Sequence, residues 1–123
     1  MQLKHLGQPS FAPTKELDTF EAPVGVGVVT FTTRELTAFC PVTHQPDYYH
    51  LTISYQPDKK CVESKSLKLY VMTFRDSAAF AEALSVEIMN DIMNATQARH
   101  VRVELVQQVR GGLELKVVSE RSC

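Results

Sequence analysis

Apolar and polar residues alternate along four segments of the chain, which is typical of strands that bury one face. The alternation of the first segment begins at Val24 and changes phase between Val28 and Val29, which indicates a strand with a bulge. Arg110-Gly111-Gly112 separates the last two segments and favours a hairpin turn between them. The four predicted strands cover residues 24–31, 48–55, 101–105 and 113–117.

Between the second and third predicted strands, the apolar residues take the spacing of helices. The first predicted helix has Ser64 or Ser66 as its N-cap. The second runs from about Ser77 to Ala95 and is capped by Asp76 or Ser77. The resulting order ββααββ predicts an α+β fold, in which four antiparallel strands share one apolar face and both helices pack on it. The apolar face of the first helix consists of Leu67, Tyr70, Val71 and Phe74.

The composition fits one globular domain. The chain has 123 residues, of which 44% are apolar and 22% are charged. Gly7, Pro9 and Pro13 interrupt the N-terminal part, so residues 1–21 are predicted to form an extended arm that crosses a surface or a neighbouring subunit. Residues 22–123 are predicted to form the domain itself.

The charge balance excludes some classes of function. The 13 Lys and Arg residues against 14 Asp and Glu residues give a net charge of −1, which argues against binding to nucleic acid or anionic membranes through a basic excess. No run of apolar residues approaches the roughly 18 that a membrane span needs, and the first residues lack the apolar core of a signal peptide. We therefore expect a cytoplasmic protein that binds neither membranes nor nucleic acid.

The loop between the first two predicted strands holds a thiol and a carboxyl group. Pro41 and Pro46 restrict themselves and the residues before them, so we expect Cys40 and Asp47 to be held extended and immobile. Such a pair could act as nucleophile and proton donor. The alternative is a small buried cysteine and a turn aspartate.

A metal site is not predicted for this loop. The candidate ligands are Cys40, His44, His50 and Cys61. Their spacing lacks the repeated close pairs of zinc sites, and a histidine on the surface or in the core is the more common case.

A second candidate site lies where the first helix begins. The first backbone amides of a helix are free donors at the positive end of its dipole, and Lys65 and Lys68 add full charges there, which outlines a phosphate site. A capped helix with solvated lysines is the alternative. Arg110 in the glycine turn could also hold a phosphate, and Glu82 could point into a pocket, although a plain turn and a solvated carboxylate explain both.

Two of these segments resemble the motifs of a known family. The chain resembles, over nearly its whole length, the short single-domain NADPH-dependent 7-cyano-7-deazaguanine reductases, the nitrile reductases of queuosine biosynthesis. The resemblance implies the tunnelling fold, in which ββααββ subunits join into an oligomeric barrel with active sites between subunits. The matching segments are Cys40-Pro41-Val42-Thr43, Gln45-Pro46-Asp47 and Glu63-Ser64-Lys65-Ser66-Leu67-Lys68-Leu69-Tyr70.

The resemblance also implies a reaction and a set of site residues. The Cys40 thiolate attacks the nitrile carbon to form a thioimide, and Asp47, protonated when substrate is bound, acts as general acid. NADPH supplies two hydrides, which gives 7-aminomethyl-7-deazaguanine. The implied substrate-binding positions are Val62, Glu63, Ser64, Ala81 and Glu82. The implied cofactor-binding positions are Lys65, Ser66, Lys68 and, across an interface, Arg110.

The chain departs from the family pattern at two positions. Ala81 stands where the family has a histidine, and His44 stands where a glycine is usual before Gln45. We hypothesise that His44 partly replaces the missing imidazole from the opposite wall of the site.

Two other functions remain open. A related branch uses the same cysteine adduct to form an amidine on a deazaguanine in tRNA, but it lacks the lysine-rich motif present here. A non-catalytic purine-binding protein of the same fold is the third possibility. The size of the oligomer and the roles of Cys61 and Cys123 are not predicted.

Overall fold

The computed structural model describes residues 12–123, and within them the elements follow the predicted order with two short strands added. Neither helix of this region is long and apolar enough to cross a membrane. The strands are β1 (Thr19–Glu21), β2 (Val29–Phe39), β3 (Pro46–Gln56), β4 (Lys60–Val62), β5 (His100–Arg110) and β6 (Leu113–Ser122). The helices are α1 (Ser64–Met72) and α2 (Ala81–Thr96), with a 3₁₀ helix over Thr73–Asp76 between them.

An antiparallel sheet with strand order β2-β3-β5-β6 forms the centre of the fold. Alternate residues of β3 and β5 are buried because one face of each strand meets the helices. α1 packs on β2, and α2 packs on β5 and β6, so both helices cover the same face. The predicted α+β arrangement of ββααββ is therefore confirmed. Gly111 and Gly112 both have positive φ in the β5–β6 hairpin, as the predicted turn requires.

α2 supplies a large part of the core. Leu84, Ile88 and Ile92 have no exposed surface, and their spacing of four residues places them on one stripe of the helix. Burial of each such side chain stabilises the fold by about 2 kcal/mol. The helix ends at Gln97, which adopts a left-handed conformation with a φ of 52°.

The first strand begins later than predicted, and this expectation was wrong. β2 starts at Val29, and the preceding residues form a turn in which Gly25 has a φ of 101°. Val29 pairs with Tyr55 close to the end of β3, so the described chain offers earlier residues no partner in this sheet. Alternating valines form a strand only where a neighbour accepts their hydrogen bonds. The bulge lies instead between Thr33 and Leu36.

The predicted cap of the first helix is also wrong. Glu63, rather than Ser64 or Ser66, is the N-cap of α1. Its carboxylate accepts hydrogen bonds from the backbone amides of Lys65, at 2.6 Å, and Ser66, at 3.0 Å. A glutamate is rare as an N-cap, and its buried carboxylate satisfies two donors at once.

The second helix starts four residues later than predicted and has no side-chain cap. Phe80 occupies the N-cap position of α2. The segment before it is extended because it pairs with the end of β2: the Phe39 amide donates to the Ser77 carbonyl at 2.8 Å, and the Ala79 amide donates to the Phe39 carbonyl at 3.1 Å. This pairing places the beginning of α2 beside the residue that follows β2.

The described part of the predicted arm, residues 12–21, packs on its own chain. β1 pairs with β4, and the buried Asp18 amide donates to the Ser66 hydroxyl at 3.0 Å. The Glu63 amide donates to the Asp18 carbonyl at 2.9 Å, which ties the segment to the beginning of α1. Residues 1–11, the remainder of the predicted arm, lie outside the described residues.

Candidate active site

Hydrogen bonds hold the loop that carries Cys40 in a closed turn. The Cys40 amide donates to the Gln45 carbonyl, and the His44 amide donates to the Cys40 carbonyl, both at 2.9 Å. The loop spans only residues 40–45, because Asp47 already belongs to β3. The thiol is therefore fixed between the end of one strand and the start of the next.

Cys40 is a half-buried thiol whose surroundings favour its ionised form. A hydrogen bond from the Thr43 hydroxyl, together with the backbone amides of Thr43 and Val42, lowers the pKa of Cys40, against the opposing charge of Asp47. The Thr43 hydroxyl oxygen also accepts from the Gln45 amide at 3.3 Å, which leaves its proton for the sulfur. A lowered pKa means that the nucleophilic thiolate is present at a lower pH than in an ordinary cysteine.

Asp47 is buried and forms an ion pair with an arginine of the same chain. The Arg110 Nε lies 3.3 Å from Asp47 Oδ1, and the same guanidinium donates to the Pro46 carbonyl. The resemblance assigned Arg110 to the cofactor across an interface, whereas here it lies on the side of the nucleophile. A carboxyl group cannot hold this ion pair and donate a proton at the same time, so a role for Asp47 as an acid would require the contact with Arg110 to open.

The beginning of α2 lies on the same side of the molecule as the Cys40 loop. The extended segment before α2 pairs with Phe39, directly before the nucleophile. Ala81 is buried and contributes only a methyl group, while Glu82 is exposed in the first helical turn. A carboxylate there can accept from the adjacent N–H and amino groups of a purine.

The helix end that carries the lysine-rich motif lacks the free amide donors predicted for a phosphate site. The amides of Lys65 and Ser66 are occupied by the Glu63 carboxylate, so the prediction of free amide donors was wrong. The same carboxylate places a negative charge at the end of the dipole. Attraction of a phosphate at this end depends on the lysine ammonium groups, of which Lys68 is exposed.

Ser66 has a structural position in this chain. Its side chain is fully buried, and its hydroxyl donates to the Glu63 carbonyl at 2.9 Å and accepts from the Asp18 amide at 3.0 Å. A hydroxyl engaged in this way links the N-terminal segment to α1. The Ser66 hydroxyl is therefore not available to a cofactor, in contrast to the role that the resemblance implied.

A groove of about 350 Å³ runs between β2 and α1. Its walls are mostly apolar, and Ser64 and Lys68 lie among the residues that line it. An apolar wall with a cation beside it suits a flat ring that carries a phosphate. The apolar lining includes Phe31, Leu51, Ile53, Leu67 and Val71.

Within one chain, the candidate residues form two separate groups. Asp47 and Tyr55 are eight residues apart on β3, which corresponds to about 27 Å. The Tyr55 hydroxyl accepts from the Val62 amide at 2.8 Å, which puts Val62 and the start of the lysine-rich motif at the far end of the strand, from which α1 packs along β2. The nucleophile group consists of Cys40, Asp47, Ala81, Glu82 and Arg110, and the motif group consists of Val62, Glu63, Ser64, Lys65 and Lys68.

Comparison with known proteins identifies the family. Residues 46–122 match the family described as QueF-like protein. The NADPH-dependent 7-cyano-7-deazaguanine reductase of Nitrosomonas europaea is 44% identical over 110 residues, which cover 88% of this chain and 79% of that protein. The chain belongs to the QueF-like family. The reductase of the same name from Thioalkalivibrio sulfidiphilus is 45% identical, covering 90% of this chain and 88% of the relative.

A solved QueF-like structure has the same fold. The crystal structure of the archaeosine synthase QueF-Like in the apo form matches with a TM-score of 0.73. The match covers 81% of this chain and 95% of the other, at 23% sequence identity. The predicted tunnelling fold is thereby confirmed.

The family resemblance and the backbone agree at position 44. His44 has a φ of 57°, a left-handed conformation that glycine adopts without steric cost. We expect His44→Gly to raise the free energy of unfolding by up to about 1 kcal/mol, because a residue with a Cβ is strained there. Urea unfolding of His44→Gly and His44→Ala measures this. Equal stabilities of the two variants would contradict the assignment of strain to the Cβ.

The same two variants test whether the exposed His44 imidazole contacts the substrate. If it contacts the substrate, both substitutions raise the Kd for substrate to the same extent, whatever they do to stability. A His44→Ala protein with full turnover and affinity would exclude a role for this side chain.

The other cysteines lie away from Cys40. Cys61 is buried on β4 next to Tyr55, and Cys123 is exposed at the C-terminus. Over residues 12–123, no three His, Cys, Asp or Glu side chains come close enough together to hold a metal ion.

Proposed function

We propose that this chain reduces the nitrile of 7-cyano-7-deazaguanine to the primary amine with NADPH, giving 7-aminomethyl-7-deazaguanine for queuosine biosynthesis. The observation that carries the proposal is the pairing of an accessible, readily ionised Cys40 with the buried carboxyl group of Asp47 at one end of the sheet. The family supports it, because relatives 42–45% identical over about nine tenths of the chain carry the name of this reductase.

In the first step, Cys40 and Asp47 act on the nitrile together. The Cys40 thiolate forms a C–S bond with the nitrile carbon, and one π-bond of the nitrile breaks so that its electron pair moves to nitrogen. Asp47 gives its proton to that nitrogen, which yields a neutral thioimide. Glu82 holds the purine by accepting from its N–H and amino donors, which fixes the nitrile over the sulfur.

NADPH, when bound, supplies the two hydrides that the nitrile carbon needs. Lys65 and Lys68 are the proposed contacts for its phosphates, and Arg110 joins them when it leaves Asp47. After the first reduction, the thiolate of Cys40 is the leaving group, and the C–S bond breaks to give an imine. Asp47 and solvent return the protons that the amine product requires.

We further propose that each active site is completed by a second copy of the chain. About 27 Å of β3 separates Asp47 from Tyr55, whose hydroxyl bonds to Val62, so the segment Val62–Ser64 lies too far from Cys40 to contact the same small substrate within one chain. Within the described chain, the outer edge of β6 and the outer edge of β2 before Phe39 have no strand partner and are available for sheet extension between copies. Val62, Glu63 and Ser64 would then reach the substrate from the neighbouring copy.

Mixing two inactive variants tests this sharing. Cys40→Ala and Lys68→Ala homo-oligomers are each expected to be nearly inactive. After unfolding and refolding together in equal amounts, about a quarter of the sites would combine an intact Cys40 with an intact Lys68 from another copy. NADPH oxidation should therefore return to about a quarter of the wild-type value. No recovery in a properly assembled mixture would show that both groups act from one chain.

We place this chemistry in the cytoplasm, and we expect no nucleic acid or membrane partner. Three unpaired thiols suit a reducing compartment.

Incubation with 7-cyano-7-deazaguanine distinguishes the proposed reductase from its alternatives. A thioimide absorbance followed by oxidation of two NADPH per nitrile supports the reductase. An adduct that NADPH does not reduce, but that an amine converts to an amidine, indicates the amidine-forming branch. Binding without an adduct indicates a purine-binding protein. Either of the last two results overturns the proposal.

A further inference from the structure

A tyrosine beside the nucleophile has a buried hydroxyl group without a partner. Tyr49 is 3% exposed, and its hydroxyl makes no hydrogen bond to any residue from 12 to 123. The other buried tyrosines are satisfied: the Tyr55 hydroxyl accepts from the Val62 amide at 2.8 Å, and the Tyr70 hydroxyl donates to Asp91 at 2.6 Å. A buried hydroxyl without a hydrogen bond destabilises a fold, so its retention indicates a partner that the folded chain does not itself supply.

The position of Tyr49 on β3 places this hydroxyl group within the nucleophile group. Asp47 and Tyr49 are both buried and two residues apart on one strand, so their side chains project from the same face about 7 Å apart. The negative charges of Asp47, Cys40 and Glu82 act on the phenol, and the positive charge of Arg110 acts in the opposite sense. The hydroxyl therefore lies within electrostatic reach of the ionisable members of the nucleophile group.

The environment of Tyr49 keeps the hydroxyl protonated. Burial, reinforced by the charges of Asp47 and Cys40, raises the pKa of Tyr49 to about 12. The group is thus a neutral hydrogen-bond donor throughout the range of pH in which an enzyme of this kind works. It can donate a hydrogen bond to a substrate atom without exchanging its proton.

We infer that the Tyr49 hydroxyl is a catalytic residue that donates a hydrogen bond to the substrate nitrogen on which charge develops when Cys40 attacks. This inference rests on the proposed nitrile reduction. A nitrile nitrogen has one lone pair, and it gains a second when a π-bond breaks. Asp47 protonates one of these pairs, and Tyr49 donates to the other. A donor already fixed in a buried site stabilises such charge strongly, because no solvent has to reorganise.

The test compares Tyr49→Phe with the wild-type protein in single-turnover formation of the thioimide. Because the contact strengthens only as the nitrogen becomes charged, we expect the rate of adduct formation to fall about a hundredfold. The Kd for 7-cyano-7-deazaguanine, measured with a Cys40→Ala background that cannot react, should change by less than about twofold. The thermal stability of Tyr49→Phe should equal or exceed that of the wild type, since the unsatisfied hydroxyl is removed.

Two matched tyrosine variants serve as controls. Tyr48 is exposed on the opposite face of β3, so Tyr48→Phe should form the adduct at the wild-type rate. Tyr55 is buried and hydrogen-bonded, so Tyr55→Phe should lower the unfolding temperature, in contrast to Tyr49→Phe.

The possible outcomes separate this inference from the proposed function. If the wild-type protein forms no adduct, both the proposed function and the role of Tyr49 are wrong. If the wild-type protein forms the adduct and Tyr49→Phe forms it equally fast, only the inference about Tyr49 is wrong. A raised Kd with an unchanged rate would also overturn it, because the hydroxyl would then contact the purine ring.

Discussion

Replacing Cys40 with alanine is expected to abolish the covalent adduct with 7-cyano-7-deazaguanine and to lower turnover by at least about a thousandfold. The sulfur is the only atom proposed to bond to the substrate, and hydride cannot add efficiently to a nitrile that has not been activated as a thioimide. Intact-protein mass spectrometry and the thioimide absorbance measure the adduct, and NADPH oxidation measures turnover.

The control for this experiment is Cys123→Ala. Cys123 is exposed at the C-terminus, so its thiol is the most accessible competitor for any electrophile. This variant should keep both the adduct and the turnover. An adduct of unchanged mass and yield in Cys40→Ala would place the bond on another residue and rule out the proposed chemistry.

Replacing Asp47 with asparagine is expected to slow adduct formation by about a hundredfold or more. Asparagine preserves the size of the side chain, but its amide cannot give a proton to the nitrile nitrogen. The Kd for substrate should change little, because Asp47 acts on the nitrogen and does not hold the purine. Stopped-flow measurement of the thioimide absorbance in the absence of NADPH isolates this step.

Two further variants test whether the slow adduct formation of Asp47→Asn results from the loss of the proton donor. Asp58 is an exposed carboxylate that pairs with Arg99 at 3.4 Å, so Asp58→Asn should behave as the wild type. Arg110→Gln breaks the ion pair with Asp47 and leaves the acid in place. Adduct formation needs no NADPH, so a contact of Arg110 with the cofactor cannot affect this step. If Arg110→Gln also forms the adduct slowly, the Asp47→Asn defect results from the lost ion pair and not from the lost proton donor.

Much of the fold could be predicted because alternation and helical spacing report which face of each element is buried. β3 and β5 bury the alternate residues that were predicted, since both are central strands with a neighbour on each side, although β5 continues to Arg110, beyond its predicted end at residue 105. The start of β2 could not be predicted in this way. The alternating valines already start at Val24, whereas the strand begins only at Val29, where β3 first offers a partner.

The residue types of the candidate site could be predicted from the sequence, but the contacts between these residues could not. The Cys40 and Asp47 loop stands out in the sequence, because two prolines lie between a thiol and a carboxyl group, one directly after the thiol and one directly before the carboxyl group. The use of Glu63 as a helix cap and of Arg110 as the partner of Asp47 depends on side-chain reach across the fold. Tyr49 fits the alternation of β3 as a core residue does, and in the sequence only its position two residues after Asp47 indicates a second role.

Because β2 and β6 are the edge strands of the sheet and can pair between copies, the catalytic activity is expected to depend on the concentration of the protein. These strands have 11 and 10 residues, so pairing between copies can bury a long row of backbone groups. If each site needs two copies, dilution below the dissociation constant of the assembly removes activity without unfolding any chain. Specific activity should then rise with concentration, and a cell that makes few copies would contain folded protein with little catalytic output.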